Sequence, residues 1–237
     1  MLADFVDKLT ELNETKQFEI NGQIFSDKPL HYVEPHVNSP REISVNSIDS
    51  ICKLIKTEKD FIDSTFLVKI NSARKISVFT TLLGDYSRYF LYCAVADVPE
   101  VSRRYMDKEQ AIIELRSLYI PNEGTAYLLG LISSMSKDSS VKSEDNGVTQ
   151  KVTAQQGISL LQNIDIRPRV SLQPFRTFLE VAQPESEFLL RIDEDGDIGL
   201  FEADGGVWEL EAKRNIANYL EKELAVLIET GEVVVML

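Results

Sequence analysis

The apolar positions in the last third of the chain follow two periods, and each period predicts its own kind of element. Arg169-Val-Ser-Leu-Gln alternates polar and apolar residues. Glu187-Phe-Leu-Leu-Arg-Ile and Ile198-Gly-Leu-Phe-Glu-Ala read as two further strands joined by the acidic turn Asp193-Glu-Asp-Gly-Asp. Beyond Asp204-Gly-Gly, the apolar residues Trp208, Ala212, Ile216, Leu220, Leu224, Leu227 and Ile228 recur in fours and threes. That spacing places one apolar stripe on a helix, which must lie against a sheet to bury it. Gly231 ends the helix, and Val233-Val-Val-Met-Leu predicts a final strand buried on both sides.

The N-terminal part shows the same two periods. Leu2, Phe5, Val6, Leu9 and Leu12 share a helical face over residues 2–15, and Gln17–Phe25 reads as a hairpin around Asn21-Gly22. Pro29, Pro35 and Pro40 mark an extended connection. A helix starts near Ser47, with Ile48, Ile51, Cys52, Leu54 and Ile55 on one side. Thr65–Ile70, Lys75–Leu83 and Tyr86–Ala96 predict an antiparallel meander. Apolar residues of both parities in its second and third strands predict cover on both faces, with the flanking helices as the candidates.

Two more helices follow. Asp107-Lys-Glu-Gln resembles a capping box ahead of Ala111, Ile112, Leu115 and Leu118, and Tyr127, Leu128, Leu131, Ile132 and Met135 form another stripe. Residues 136–157 are polar and read as a protruding hairpin around Asp145-Asn-Gly or as a loop; Val141, Val148 and Val152 favour the hairpin. The fold expected is α+β: an N-terminal meander and C-terminal strands closed by the final strand, with flanking amphipathic helices. The expected division is an N-terminal subdomain over 1–135, the hairpin or loop over 136–157, and a C-terminal subdomain over 158–237. No flexible linker separates the two subdomains, so a shared core is expected.

Composition narrows the function classes. The chain has 237 residues, enough for a sizeable core, and no run reaches the roughly 18 apolar residues of a membrane span. Residues 1–5 show no basic start to a secretory signal, and two cysteines in apolar patterns suit a cytoplasmic protein. The formal net charge of −13 argues against sequence-independent duplex DNA binding. From Glu180 to Leu237 there are fifteen Asp and Glu against four Lys and Arg, so the acidic excess sits in the tail. It reads as a solvated face or as a contact surface for a basic partner.

Catalytic and metal signatures are weak. His31, Glu34 and His36 lie close together, but Pro35 breaks the regular spacing that convergent metal ligands need, so no metal or cofactor is expected. Asp193–Asp197 lacks the glycine and glutamate placement of an EF-hand loop. Asp204-Gly-Gly matches neither a P-loop nor a dinucleotide fingerprint, and no G-x-S-x-G elbow occurs. The chain therefore reads as a non-enzymatic interaction protein. Glu185, Glu187, Glu202, Glu209 and Glu211 are its candidate partner-binding residues, in a sharper version as a mimic of DNA. Arg167, Arg169 and Arg176, interleaved with Phe175 and Phe178, give an alternative surface for single-stranded nucleic acid. An enzyme of unrecognised type would need a deep pocket with convergent polar groups. Unpaired sheet edges leave self-association open.

The layout also resembles the YfdQ-like family of uncharacterised phage and prophage proteins. The likeness rests on Ile48–Ile55, on Leu82–Tyr86 ending in Gly-Asp-Tyr, and on Glu109-Gln-Ala at a helix start. It continues through Ile166-Arg-Pro-Arg-Val-Ser-Leu with Phe175, then Phe188-Leu-Leu-Arg-Ile and the closing helix and strand. The resemblance implies a virus-encoded accessory protein in the cytoplasm of a bacterial host and supplies no catalytic residue; the missing catalytic motifs and the uneven charge point to a host or phage protein as its partner.

Overall fold

The computed structural model describes residues 5, 6, 8, 15–20, 23–28, 40–84, 86–135, 140–145, 150–156 and 159–237. Of residues 23–25, 140–145, 150–156 and 159–165 it describes the backbone alone. The chain divides into two compact units, 1–39 and 40–237. In the first, β1 (Gln17–Ile20) pairs antiparallel with β2 (Gln23–Ser26), as the hairpin pattern predicts. Most of the helix predicted over 2–15, the Asn21-Gly22 turn, and His31, Glu34 and His36 lie outside the described residues.

The second unit opens with β3 (Ile43–Val45), α1 (Ile48–Glu58) and a single 3-10 turn, Lys59–Phe61. Ser47 starts α1 because its extended backbone leaves its hydroxyl free to accept from the Ser50 amide, at 3.2 Å. The Glu180 carboxylate, far away in sequence, takes the Ile48 amide at 2.7 Å. The meander follows as β4 (Phe66–Ser72), β5 (Lys75–Thr80) and β6 (Phe90–Val95). Next come α2 (Lys108–Ser117), capped by Asp107, and α3 (Glu123–Ser134), which opens on a full capping box between Asn122 and Thr125. β7 (Ser140–Asp145), β8 (Gln150–Gln156) and β9 (Ser159–Asp165) form an antiparallel three-stranded sheet. The polar stretch is thus a hairpin extended by a third strand.

β10 (Arg169–Leu172), β11 (Ser186–Ile192) and β12 (Ile198–Glu202) make a second three-stranded antiparallel sheet. The helical stripe becomes α4 (Val207–Glu223) and α5 (Ala225–Glu229), and β13 (Val233–Met236) ends the fold. The Asp204-Gly-Gly step has a backbone reason. Gly205 and Gly206 both take positive φ, 64° and 84°, to turn the chain from β12 into α4.

The final strand corrects two expectations. β13 does not close the C-terminal sheet; it pairs in parallel with β4 and completes a mixed five-stranded sheet in the order β13-β4-β5-β6-β3. It is an edge strand there, with Val234 44% exposed, so it is not buried on both sides. The C-terminal stretch returns to the N-terminal sheet because α4 lays its stripe on that sheet. Ile216, Leu220, Leu224 and Leu227 pack with Ile48, Ile51 and Ile55 of α1 over Phe66, Val68, Ile76 and Val78. Helices therefore cover one face of this sheet. On the other, Ser77 and Cys93 are buried while Leu67, Phe79 and Phe90 stay half-buried, so that face is covered in part.

A second core forms where α2 and α3 pack on β10–β12, with Leu115, Tyr119, Leu128, Ile132, Val170, Leu172, Phe188, Leu190 and Leu200 inside. Gly124 allows α3 to lie this close to β10, since a Cβ there would collide with the Ser171 carbonyl oxygen and stand 2.9 Å from Val170 Cγ1. Each fully buried Leu, Ile or Phe in either core contributes roughly 1.5–3 kcal/mol by leaving water.

Candidate functional site

Between the two cores runs the segment from Gln173 to Glu185, which links β10 to β11. One buried side chain organises it. Gln183 Oε1 accepts from the Arg176 and Thr177 amides at 3.0 and 3.1 Å, while its Nε2 donates to the Phe178 carbonyl at 2.9 Å. The segment then ties down the β4–β5 turn. Thr177 Oγ1 donates to the Ala73 carbonyl, and Arg74 Nε donates to the Arg176 carbonyl at 3.0 Å.

Arg176 is the centre of this seam. It is 2% exposed, and its guanidinium carbon lies 4.0 Å from the centre of the Trp208 ring. Nη1 donates to Glu202 Oε1 at 2.9 Å; Nη2 donates to Ser186 Oγ and, at 3.4 Å, to the Pro184 carbonyl. The Ser186 hydroxyl donates a hydrogen bond to Asp204 at 2.7 Å, and Asp204 accepts from the Gly206 and Trp208 amides at the start of α4. One hydrogen-bonded path therefore runs from the buried arginine to a helix N-terminus. Burial pushes the Asp204 carboxyl up, but the bonds from Ser186, Gly206 and Trp208 and the Arg176 charge outweigh it and hold its pKa below the ordinary value. Burial likewise lowers the Arg176 pKa against the pull of Glu202 and Asp204.

Two buried polar atoms beside this network lack a hydrogen-bond partner among the described residues: Arg176 Nε and the Tyr119 hydroxyl. Tyr119 stacks edge-on against Phe188, and its pKa is raised first by burial and then by the Glu114 charge.

A cleft of about 730 Å³ opens onto the seam. Its walls come from every element around it: Ser72, Ala73 and Arg74 from the β4–β5 turn, Glu100–Arg104 from the loop before α2, Phe188, Leu200 and Glu202 from the second sheet, and Arg176, Trp208 and Glu209. The loop is held at both ends. Glu114 of α2 accepts the Ser102 amide at 2.7 Å, and Met106 exchanges two backbone hydrogen bonds with Ile198. Arg103, with its side chain 76% exposed, reaches Glu202 Oε2 at 3.4 Å, so Glu202 accepts from two arginines.

The charge of the cleft runs against that of the chain. Four arginines and three glutamates line it, a balance of +1 in a protein of −13. Two other clefts, of about 540 and 680 Å³, carry −2 (Lys59 against Asp60, Asp63 and Glu232) and −1 (Asp97). Glu202 is already engaged by Arg176 and Arg103. The Arg74 terminal nitrogens and the whole Arg104 guanidinium have no acceptor among the described residues.

The sequence-derived candidates are scattered by the fold. Phe188 faces Glu202 across the β11–β12 ladder and Ser171 faces Glu187 across the β10–β11 ladder. Neighbouring residues of β11 point to opposite sides, so Glu202 lies on the inner face of the sheet and Glu187 on the outer. Glu187 is paired with Arg169 at 2.9 Å, and Glu185 accepts from Ser171 Oγ at 2.7 Å. Glu209 and Glu211 are exposed on α4, but two positions apart they diverge by about 200° around the helix. The five carboxylates do not form one acidic array. Nor do the arginines share a surface: Arg167 pairs with Glu123 and covers the Tyr127 ring, Arg169 pairs with Glu187, and Arg176 is buried. Phe178 is core and Phe175 half-buried.

Arg74, Glu100, Arg103, Arg104 and Trp208 were not singled out as site residues. The one local signal was the basic doublet Arg103-Arg104 in an acidic chain. Among the described residues no group of His, Cys, Asp or Glu is arranged to hold a metal ion, and no helix is long and apolar enough to cross a membrane. No protein-family model, curated protein or solved structure matches this chain.

Proposed function

We propose that this protein is a binding module that recognises a negatively charged ligand group in the arginine-lined cleft, without catalysing a reaction. The reversal of charge carries the reading: a strongly acidic chain gathers four arginines around one cleft. Such a wall offers charge-assisted donors in fixed geometry, which is what anion recognition needs. Neither cysteine lines the cleft; Cys52 lies in the five-stranded core and both are buried. The phage or prophage setting and the cytoplasmic location rest on resemblance and composition, and they fit an accessory protein of this kind.

The reading is tested by mapping backbone amide shifts while citrate, pyrophosphate and an acidic heptapeptide are titrated in turn. Perturbations centred on residues 72–74, 100–104 and 202–209 support it. Perturbations confined to other surfaces, or none from any anion, reject it.

A second reading keeps a protein partner. Val207 and Leu210 of α4 are 65% and 48% exposed and lie beside the exposed Glu211. Apolar residues next to an exposed carboxylate suit a contact surface. Loss of a partner on Leu210→Asp, with the cleft still binding anions, would assign that contact to α4.

A further inference from the structure

We infer that the group recognised in the cleft is a phosphate monoester carried by a small molecule with a compact ring. This rests on the anion-binding reading above and narrows it to one ligand class. Arg74 stands on the β4–β5 turn and Arg104 on the loop before α2, so the Arg74 terminal nitrogens and the Arg104 guanidinium, which have no acceptor among the described residues, are anchored separately. A planar carboxylate has two oxygens, suited to a single fork. The tetrahedral, dianionic phosphate offers three oxygens to donors arriving from different directions. Arg103, half committed to Glu202 and largely exposed, stands at the same wall as a third donor.

The rest of the lining indicates what the phosphate is attached to. Ala73, Val101, Phe188, Leu200 and Trp208 give the cleft an apolar portion, and Phe188 and Leu200 are core residues of the second sheet. The cleft has the volume of a small-molecule site, in which apolar walls hold the body of a ligand and a few polar groups fix its orientation. Arg176 lies behind this wall: its side chain is 2% exposed, and its buried Nε–H has no acceptor among the described residues.

The protein carries its own reporter, because its single tryptophan, Trp208, lines the cleft. The experiment titrates inorganic phosphate, phenyl phosphate, benzoate, an acidic heptapeptide and a single-stranded oligonucleotide against the full chain. Trp208 fluorescence and isothermal titration calorimetry are both read. Phenyl phosphate is expected to bind at least ten times tighter than inorganic phosphate or benzoate. Arg104→Gln is expected to weaken it at least tenfold, and Arg103→Gln less. Arg116→Gln, an exposed charge change on α2 outside the cleft, is the control and leaves binding unchanged.

Circular dichroism confirms that each variant is folded; Arg103 and Arg104 are both exposed, so either can carry the test. Equal binding of benzoate and phenyl phosphate overturns the phosphate assignment. Binding of the peptide or oligonucleotide alone, lost on Arg104→Gln, overturns the small-molecule assignment and leaves the anion-binding reading standing. No response to any of the five in either readout overturns both.

Discussion

The two cores of the larger unit are built from the same materials and end differently. Under the five-stranded sheet, α1, α4 and α5 close a core made mostly of Ile, Val, Leu and Phe, with Cys52, Tyr92 and three alanines. Under β10–β12, the α2–α3 core runs up to a buried charge, with Arg176 bonded to Glu202 and Ser186 over the Trp208 ring. A dry core is the cheaper way to hold a fold, because burying a guanidinium costs several kcal/mol per ion before its partners return any of it. The polar seam therefore adds less to stability than apolar side chains of the same volume. It does place arginines where a ligand can meet them.

The largest effect that tests this contrast is the loss of Arg176. Arg176→Ala leaves Glu202 and Asp204 without their main cation and is expected to cost about 3–5 kcal/mol in urea denaturation. The double change Arg176→Met with Glu202→Leu is expected to recover most of that loss. If the double variant is as unstable as the single one, the seam is structural and the contrast fails.

Leu220→Ala, in the middle of the α4 stripe, is expected to cost about 2–5 kcal/mol through a cavity in the dry core. Anion binding by the folded fraction is expected to survive. A Leu220→Ala protein that folds but no longer binds would show that the cleft depends on the dry core as closely as on the seam.

The pH dependence separates the regions by sign. Cys52, in the dry core, has its thiol pushed up to about 11, first by burial. A raised folded pKa gives stability that is complete below the ordinary thiol value and lost as pH rises through the folded one. Wild type is therefore expected to lose up to about 2–3 kcal/mol relative to Cys52→Ala between roughly pH 9 and 11, measured by urea midpoints at each pH. Asp204, in the seam, has a lowered pKa, so its contribution is present above the ordinary carboxylate range and is lost as pH falls through the folded value. Asp204→Asn should flatten that acid limb. Asp197 works the other way, since burial and then Asp193, Asp107 and Asp195 raise it, and its effect must be subtracted with Asp197→Asn.

Gly124→Ala drives a methyl into the Ser171 carbonyl and is expected to cost about 1–3 kcal/mol, seen as a lower Tm. The smallest stability effect belongs to Arg103→Gln, within about 0.5 kcal/mol at an exposed pair. A change there that alters binding but not Tm would sharpen the division between holding the fold and recognising a ligand.

Much of the architecture was legible in the sequence. The meander of β4–β6, the hairpin β1–β2, the helix start near Ser47, the cap at Asp107 and the α4 stripe follow from periods and capping residues, which act over a few positions. The acidic turn between β11 and β12 was equally clear, and Gly196 takes its positive φ there. The site was not legible, because Arg74, Arg104, Arg176 and Trp208 come from four separate stretches and none forms a motif with another. Counting carboxylates along the chain also misled, since strand alternation sends Glu187 and Glu202 to opposite faces and each finds an arginine.

The sequence by itself determined most of the strands and helices and their apolar stripes, though not β3 or β9, because those properties depend on near neighbours along the chain. Only the tertiary structure decided that β13 joins β4, that helices cover one face of the larger sheet, and that four arginines meet at the seam. Those outcomes depend on which apolar faces bury one another across more than a hundred residues. Packing competition settles that, and no local pattern records it.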